Sequence, residues 1–178
     1  LGVAGLVPLD DGYLVLDTEG GHADYSPIND LQSAVVNCLR ARFGRVSLER
    51  LLSGKGLLNI YSALCSIEGV PMVFSTPAEI TAAALNNADF KALQTLNMFC
   101  EGIGAAAGNL ALTFGAKGGI YIAGGVIPRF QEFFINSGFR EKFEDKGRFV
   151  SYLKPIPVYI VVHENLGLLG TAKKLRQI

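Results

Sequence analysis

The sequence predicts an α/β fold, a mixed sheet with an antiparallel hairpin and parallel strands flanked by helices. Three observations carry that prediction. Two β-rich runs, Leu1 to Leu9 and Tyr13 to Asp17, are joined by Asp10-Asp11-Gly12, whose Asp-Gly pair tolerates the positive φ angles of a tight hairpin. The last third alternates strand, helix, strand, helix, which implies parallel strands with crossovers. Finally, 178 residues with 49% hydrophobic and 18% charged side chains suit one domain with a sizeable core and exclude intrinsic disorder.

In chain order, a polar glycine loop Thr18-Glu19-Gly20-Gly21-His22 follows the hairpin, and Asn29 then caps an amphipathic helix over Leu31 to Phe43. Ser47 opens a short helix through Leu52, which Ser53-Gly54-Lys55-Gly56 is expected to stop; a further helix covers Leu57 to Ile67. Thr76-Pro77-Ala78-Glu79 is a helix start, with proline at the first helical position and an acid in the first turn. This helix reaches about Leu85. The longest helical pattern runs from Asp89 to about Gly115, with Leu93, Leu96, Phe99, Ile103, Ala107, Leu110 and Phe114 recurring at three and four. Gly102, Gly104 and Gly108 inside it each cost helix stability, so they mark a close backbone approach. Then come an apolar run Gly119 to Ala123 ending at Gly124-Gly125, helical segments Phe130 to Phe134 and Phe139 to Phe143, a β-branched run Val158 to Val162, and a helix Leu166 to Leu175. Ligands in such an architecture sit beyond the carboxyl ends of strands, where Gly124-Gly125 lies.

Several function classes are disfavoured. Sixteen Lys plus Arg balance sixteen Asp plus Glu, leaving no basic field for nucleic acid or an acidic membrane. Three widely spaced cysteines, Cys38, Cys65 and Cys100, build neither a disulfide framework nor a zinc quartet and suit a reducing cytosol. The longest charge-free run, Gly102 to Ala116, is shorter than the roughly 20 apolar residues of a membrane span. No export signal is visible, and a start at Leu1 suggests a piece of something longer.

Local motifs go only so far. Ser53-Gly54-Lys55-Gly56 fails as a phosphate-binding Walker loop, because Glu49 stands where its first glycine belongs and Gly56 where Ser or Thr belongs. Gly124-Gly125 after a strand suits either a plain turn or a loop admitting phosphate. The two histidines, His22 and His163, lie far apart with no cysteine near, which speaks against a zinc site. Glu19 and His22 read either as surface residues or as a carboxylate and imidazole gripping a polyol, whose hydroxyls both donate and accept. Glu49 alone reads as an exposed helical acid, and His163-Glu164 as a local surface pair. No Gly-x-Ser-x-Gly elbow occurs.

Five segments are recognisable as a set: Glu19-Gly20-Gly21-His22, Ser47 through Gly54, Ile122 through Phe130 with its Gly124-Gly125-Val126-Ile127-Pro128 core, Phe143 through Phe149, and Leu168-Leu169-Gly170. In order and over essentially the whole chain, they resemble the bacterial-type glucokinase family of the hexokinase and actin-like ATPase superfamily. The related repressor and sugar-kinase group usually adds a cysteine cluster for zinc, which is missing here.

The resemblance implies a ribonuclease H-like (actin-like ATPase) domain and ATP-dependent phosphorylation of glucose to glucose 6-phosphate, the first step of glycolysis, in the cytoplasm. By position Glu19, His22 and Glu49 match the family's sugar-contacting residues, and Gly124 and Gly125 its adenosine-side loop, with Mg²⁺ expected on the phosphates. The family's Asn-Asp base and both phosphate loops lie upstream of the matched region. Asn29-Asp30 falls after the sugar loop and begins a helix, so it is expected to be a cap. Residues 1–178 thus resemble the C-terminal large domain of a glucokinase without its N-terminal small domain, expected to be inactive alone. A homodimer contact is expected from the long helix. The alternative is a catalytically silent sugar-sensing regulator of the same superfamily.

Overall fold

The Asp-Gly turn closes a hairpin: β1 (Val3–Leu9) pairs antiparallel with β2 (Gly12–Thr18), Val3 opposite Thr18 and Leu9 opposite Gly12, with Gly12 at φ +134°. This computed structural model describes residues 1–163 and 165–175. A second ladder is parallel, between β3 (Ile120–Ile122) and β4 (Val158–Ile160), with Tyr121 stacked on Tyr159. The hairpin and parallel strands expected from the sequence are both present, and among the described residues each forms its own two-stranded ladder.

Helices fill the space between. α1 (Asp30–Phe43) starts where Asn29 Oδ1 accepts the Gln32 N–H at 2.8 Å, as its capping chemistry predicts. α2 (Leu48–Leu51) is one turn, and α3 (Gly54–Glu68) begins earlier than the glycines suggested. Ser53 caps α3 by accepting the Gly56 N–H at 3.1 Å. Gly56 is there because the Leu51 carbonyl passes through the space a Cβ would need, not because a helix must stop.

α4 (Pro77–Leu85) carries a complete capping box: Glu79 N–H donates to Thr76 Oγ1, and Glu79 Oε2 accepts the N–H groups of Thr76 at 2.9 Å and Ser75 at 3.0 Å. These bonds, the Ser75 backbone N–H first, hold the Glu79 carboxyl below its ordinary range. A depressed folded value means stability present above the unfolded value and lost as pH falls through the folded one. We expect thermal midpoints of the native chain to fall more steeply below about pH 4 than those of Glu79→Gln; parallel curves would contradict the cap.

α5 (Phe90–Phe114) is the spine, buried over much of its length against α3, α4 and α7 (Phe139–Glu144). The tight approach signalled by its glycines is real. A Cβ on Gly104 would fall within 3.0 Å of the Phe139 carbonyl, and one on Gly108 within 3.0 Å of the Phe143 carbonyl. The crossover from β3 to β4 is completed by α6 (Gln131–Ile135) and α8 (Val150–Leu153), and α9 (Leu166–Leu175) follows β4. Phe99, Phe130, Phe134, Phe139 and Phe143 join Leu96, Leu153 and Ile156 in one core. No described helix is long and apolar enough to cross a membrane.

Candidate functional site

Two segments build the site. At the end of β2, Thr18 Oγ1 donates to the Val3 carbonyl at 2.7 Å and accepts the Gly20 N–H at 3.2 Å, tying the glycine loop down on the first strand. The loop closes as one 3-10 turn over Gly20–His22, with His22 N–H bonded to the Glu19 carbonyl. Gly21 is buried, and the Leu1 carbonyl occupies the place its Cβ would take. Only glycine lets the chain pass so close to β1, and the passage turns the His22 ring outward.

The second segment enters α2, whose first turn carries Glu49. Residues 23–25 run antiparallel to 46–48: Asp24 bridges Ser47, Tyr25 N–H donates to the Val46 carbonyl at 3.0 Å, and Leu48 N–H to the Ala23 carbonyl at 2.8 Å. This lacing brings His22 Nε2 to 3.7 Å from Glu49 Oε2 and 3.8 Å from Glu19 Oε2. His22 and Glu49 line one cleft of about 320 Å³ with Phe43, Arg45, Ser47 and Arg50, and Glu19 flanks it. Glu49 Oε2 accepts a hydrogen bond from the Leu1 nitrogen at 3.2 Å, which ties the second segment to the start of the hairpin. An imidazole between two acidic side chains gathers acceptors and a ring N–H within one hexose width, the equipment a neutral polyol requires.

Behind the loop, Tyr25 Oη donates to Gln32 Oε1 at 2.7 Å, and the same oxygen accepts the Ile28 N–H at 3.1 Å. Burial pushes the Tyr25 phenol up, aided by the nearby Glu101. Gln32 is fully buried and was absent from the sequence candidates. Its signal was nonetheless there: with Val35, Val36 and Leu39 it completes an i, i+3, i+4, i+7 stripe.

Gly124 and Gly125 follow β3, with no atom of the described residues within 4 Å of where either Cβ would stand, and Gly124 has φ +130°. Val126 leads into an apolar cavity of about 250 Å³ lined also by Leu57, Pro77, Leu85 and Phe130. His163 Nδ1 accepts the Asn165 N–H at 3.1 Å, a local contact; Glu164 lies outside the described residues. The described residues hold no cluster of three His, Cys, Asp or Glu side chains that would cage a metal ion.

Comparison with known proteins joins these features. The family model described as Glucokinase matches residues 1–178. A glucokinase of Hahella chejuensis is 51% identical over 176 residues, covering 99% of this chain and 55% of its own, and one of Klebsiella pneumoniae (strain 342) is 49% identical over 177 residues with the same coverage. The crystal structure of a glucokinase from an Antarctic psychrotroph superposes with a TM-score of 0.90 at 36% identity, covering 99% of this chain and 55% of that one. The glucokinase of Balamuthia mandrillaris, solved in complex with glucose, shares the fold at TM-score 0.79 and 20% identity over 89% of this chain and 46% of its own. The chain spans about half the length of the curated relatives it matches.

Proposed function

The chain belongs to the glucokinase family, and from that membership we propose that it is the sugar- and adenosine-binding portion of an enzyme that phosphorylates glucose with ATP. One observation carries the reading: His22 meets Glu49, from a separate helix, at 3.7 Å and Glu19, from its own loop, at 3.8 Å beside one cleft. In this reading Glu49 and Glu19 accept hydroxyl protons of the sugar in hydrogen bonds, and the His22 ring fixes its orientation. The open Gly124-Gly125 backbone takes the adenosine side of ATP, and the adjoining apolar cavity seats the base.

Transfer to the 6-hydroxyl needs a base to accept its proton and donors to hold the phosphates in line. We assign both to polypeptide beyond these 178 residues, in keeping with relatives nearly twice as long. The exposed apolar side chains of the hairpin, Leu6, Leu9, Tyr13, Leu14 and Val15, support this reading, since they offer a face for further structure to cover. The described residues do not form a cage for Mg²⁺, and a magnesium nucleotide carries its metal largely on its own phosphates. No step assigned to this chain passes through the ion. A cytoplasmic glycolytic enzyme is the setting we propose. For a homodimer contact we favour Phe90 and Val73, 69% and 70% exposed, over the buried middle of α5.

The full-length protein is expected to form glucose 6-phosphate from glucose and ATP in a coupled assay, and the isolated 178 residues to stay at background. A full-length protein that bound glucose without turnover would favour a silent regulator; one that did neither would end the sugar-site reading.

A further inference from the structure

The lacing between residues 23–25 and 46–48 is backbone throughout, and none of those bonds touches His22 itself. One side chain does. Arg45 Nη2 donates to the His22 carbonyl at 2.6 Å, while its Nε meets Asp24 Oδ1 at 2.5 Å. The planar guanidinium thus spans two residues of the loop at once, with its donors fixed relative to one another. We propose that Arg45, held by Asp24, is a positioning residue for the sugar site, fixing the His22 backbone so that the imidazole stands against Glu49. This inference rests on the sugar-site reading for its effect on turnover, but not for its effect on His22.

The argument is one of lever and load. The His22 ring is 60% exposed, and no hydrogen bond to a described neighbour locks it, so its place follows from its backbone. That backbone is held within the turn by the His22 N–H to the Glu19 carbonyl and the Ala23 N–H to the Gly20 carbonyl, and from outside it by Arg45 on the His22 carbonyl. Releasing the second hold leaves the His22 to Ala23 peptide on the single Ala23 N–H bond to the Gly20 carbonyl and its own carbonyl without a described partner, so the backbone that carries the ring loosens. Arg45 and Asp24 are themselves 61% and 72% exposed, and exposed pairs contribute little to global stability. Removing the clamp should therefore spare the fold and loosen the site. A sugar-positioning group that loosens weakens substrate binding in ground and transition states alike, which raises KM and leaves kcat.

In the full-length protein, Arg45→Met is expected to raise the glucose KM about tenfold, with kcat and the ATP KM within about twofold and the thermal midpoint unchanged. Arg45→Lys, which keeps the charge but not the fork, should recover only part of that loss. Asp24→Asn combined with Arg45→Met should be no worse than Arg45→Met alone, because both act on one contact. In parallel, the ring resonances of His22, identified by their disappearance in His22→Asn, are expected to shift or broaden in Arg45→Met while those of His163 stay fixed. A wild-type protein that neither bound nor turned over glucose would overturn the sugar reading, and the His22 resonances would still decide the clamp. Unchanged resonances, a glucose KM that does not move in an active enzyme, or a parallel fall in kcat, ATP affinity and thermal midpoint would each overturn it.

Discussion

Replacing Gly104 by alanine is expected to lower the thermal midpoint of the chain by roughly 6 to 12 °C, the response of a domain this size to about 3 kcal/mol. The sign is the informative part. Alanine in an idle helix interior stabilises by about 0.5 to 1 kcal/mol relative to glycine. At Gly104 the added methyl would lie within 3.0 Å of the Phe139 carbonyl, and its carbonyl carbon and Cα are also close, all backbone atoms that cannot rotate aside. Relief requires α7 to lift from α5, and α7 carries Phe139 and Phe143, whose rings pack with Phe134 in the core. Overpacking of this kind usually costs about 1 to 3 kcal/mol, and the rigidity of the obstacle places Gly104 at or above the top of that range. Gly170 in α9 is the control, because no atom of the described residues lies within 4 Å of its Cβ position and alanine there should be neutral or stabilising. Gly102 falls between, since its obstacles are the side-chain ends of Leu52 and Tyr25. A melting curve in which Gly104→Ala matched or exceeded the native chain would refute the close approach.

That contact marks where the sequence is legible and where it stops. The cost of three glycines in a helix interior signals that a backbone passes close by, but nothing local says it is Phe139 and Phe143. Capping is local chemistry, so Asn29 and the Thr76 to Glu79 box sit where their side chains require. Ser53 is the instructive exception. Its glycines resemble a helix stop, and only the Leu51 carbonyl, brought back by the turn between α2 and α3, explains why Gly56 is glycine. The site divides the same way. Glu19 and His22 share a loop and are suggestive together, whereas Glu49 on a separate helix is joined to them only by family resemblance or by the fold. Gln32 betrayed itself by interrupting an apolar stripe. Arg45 left no trace, because its meaning lies in a bond to a carbonyl 23 positions away.

The second large effect concerns Glu49. Glu49→Gln in the full-length protein is expected to lower kcat/KM for glucose about 10- to 150-fold, the range for losing a hydrogen bond to a charged acceptor. Glutamine keeps the shape and one acceptor oxygen but presents an NH₂ group where the second oxygen stood, so a sugar hydroxyl loses a charged partner and faces a donor. The Glu49 side chain is 43% exposed, against 90% for Glu19, and the better-covered carboxylate is less screened. Glu19→Gln should consequently cost less than Glu49→Gln. The fold itself asks little of Glu49, whose described partners are the Leu1 nitrogen and His22, so the thermal midpoint should stay within about 4 °C of native. Glucose titration calorimetry separates the effects: a loss of affinity matching the loss in kcat/KM marks Glu49 as a binding group, and a larger kinetic loss marks a contact that strengthens in the transition state. An unchanged kcat/KM would remove Glu49 from the site, and with it the convergence on His22 that distinguishes this cleft from an ordinary surface fold.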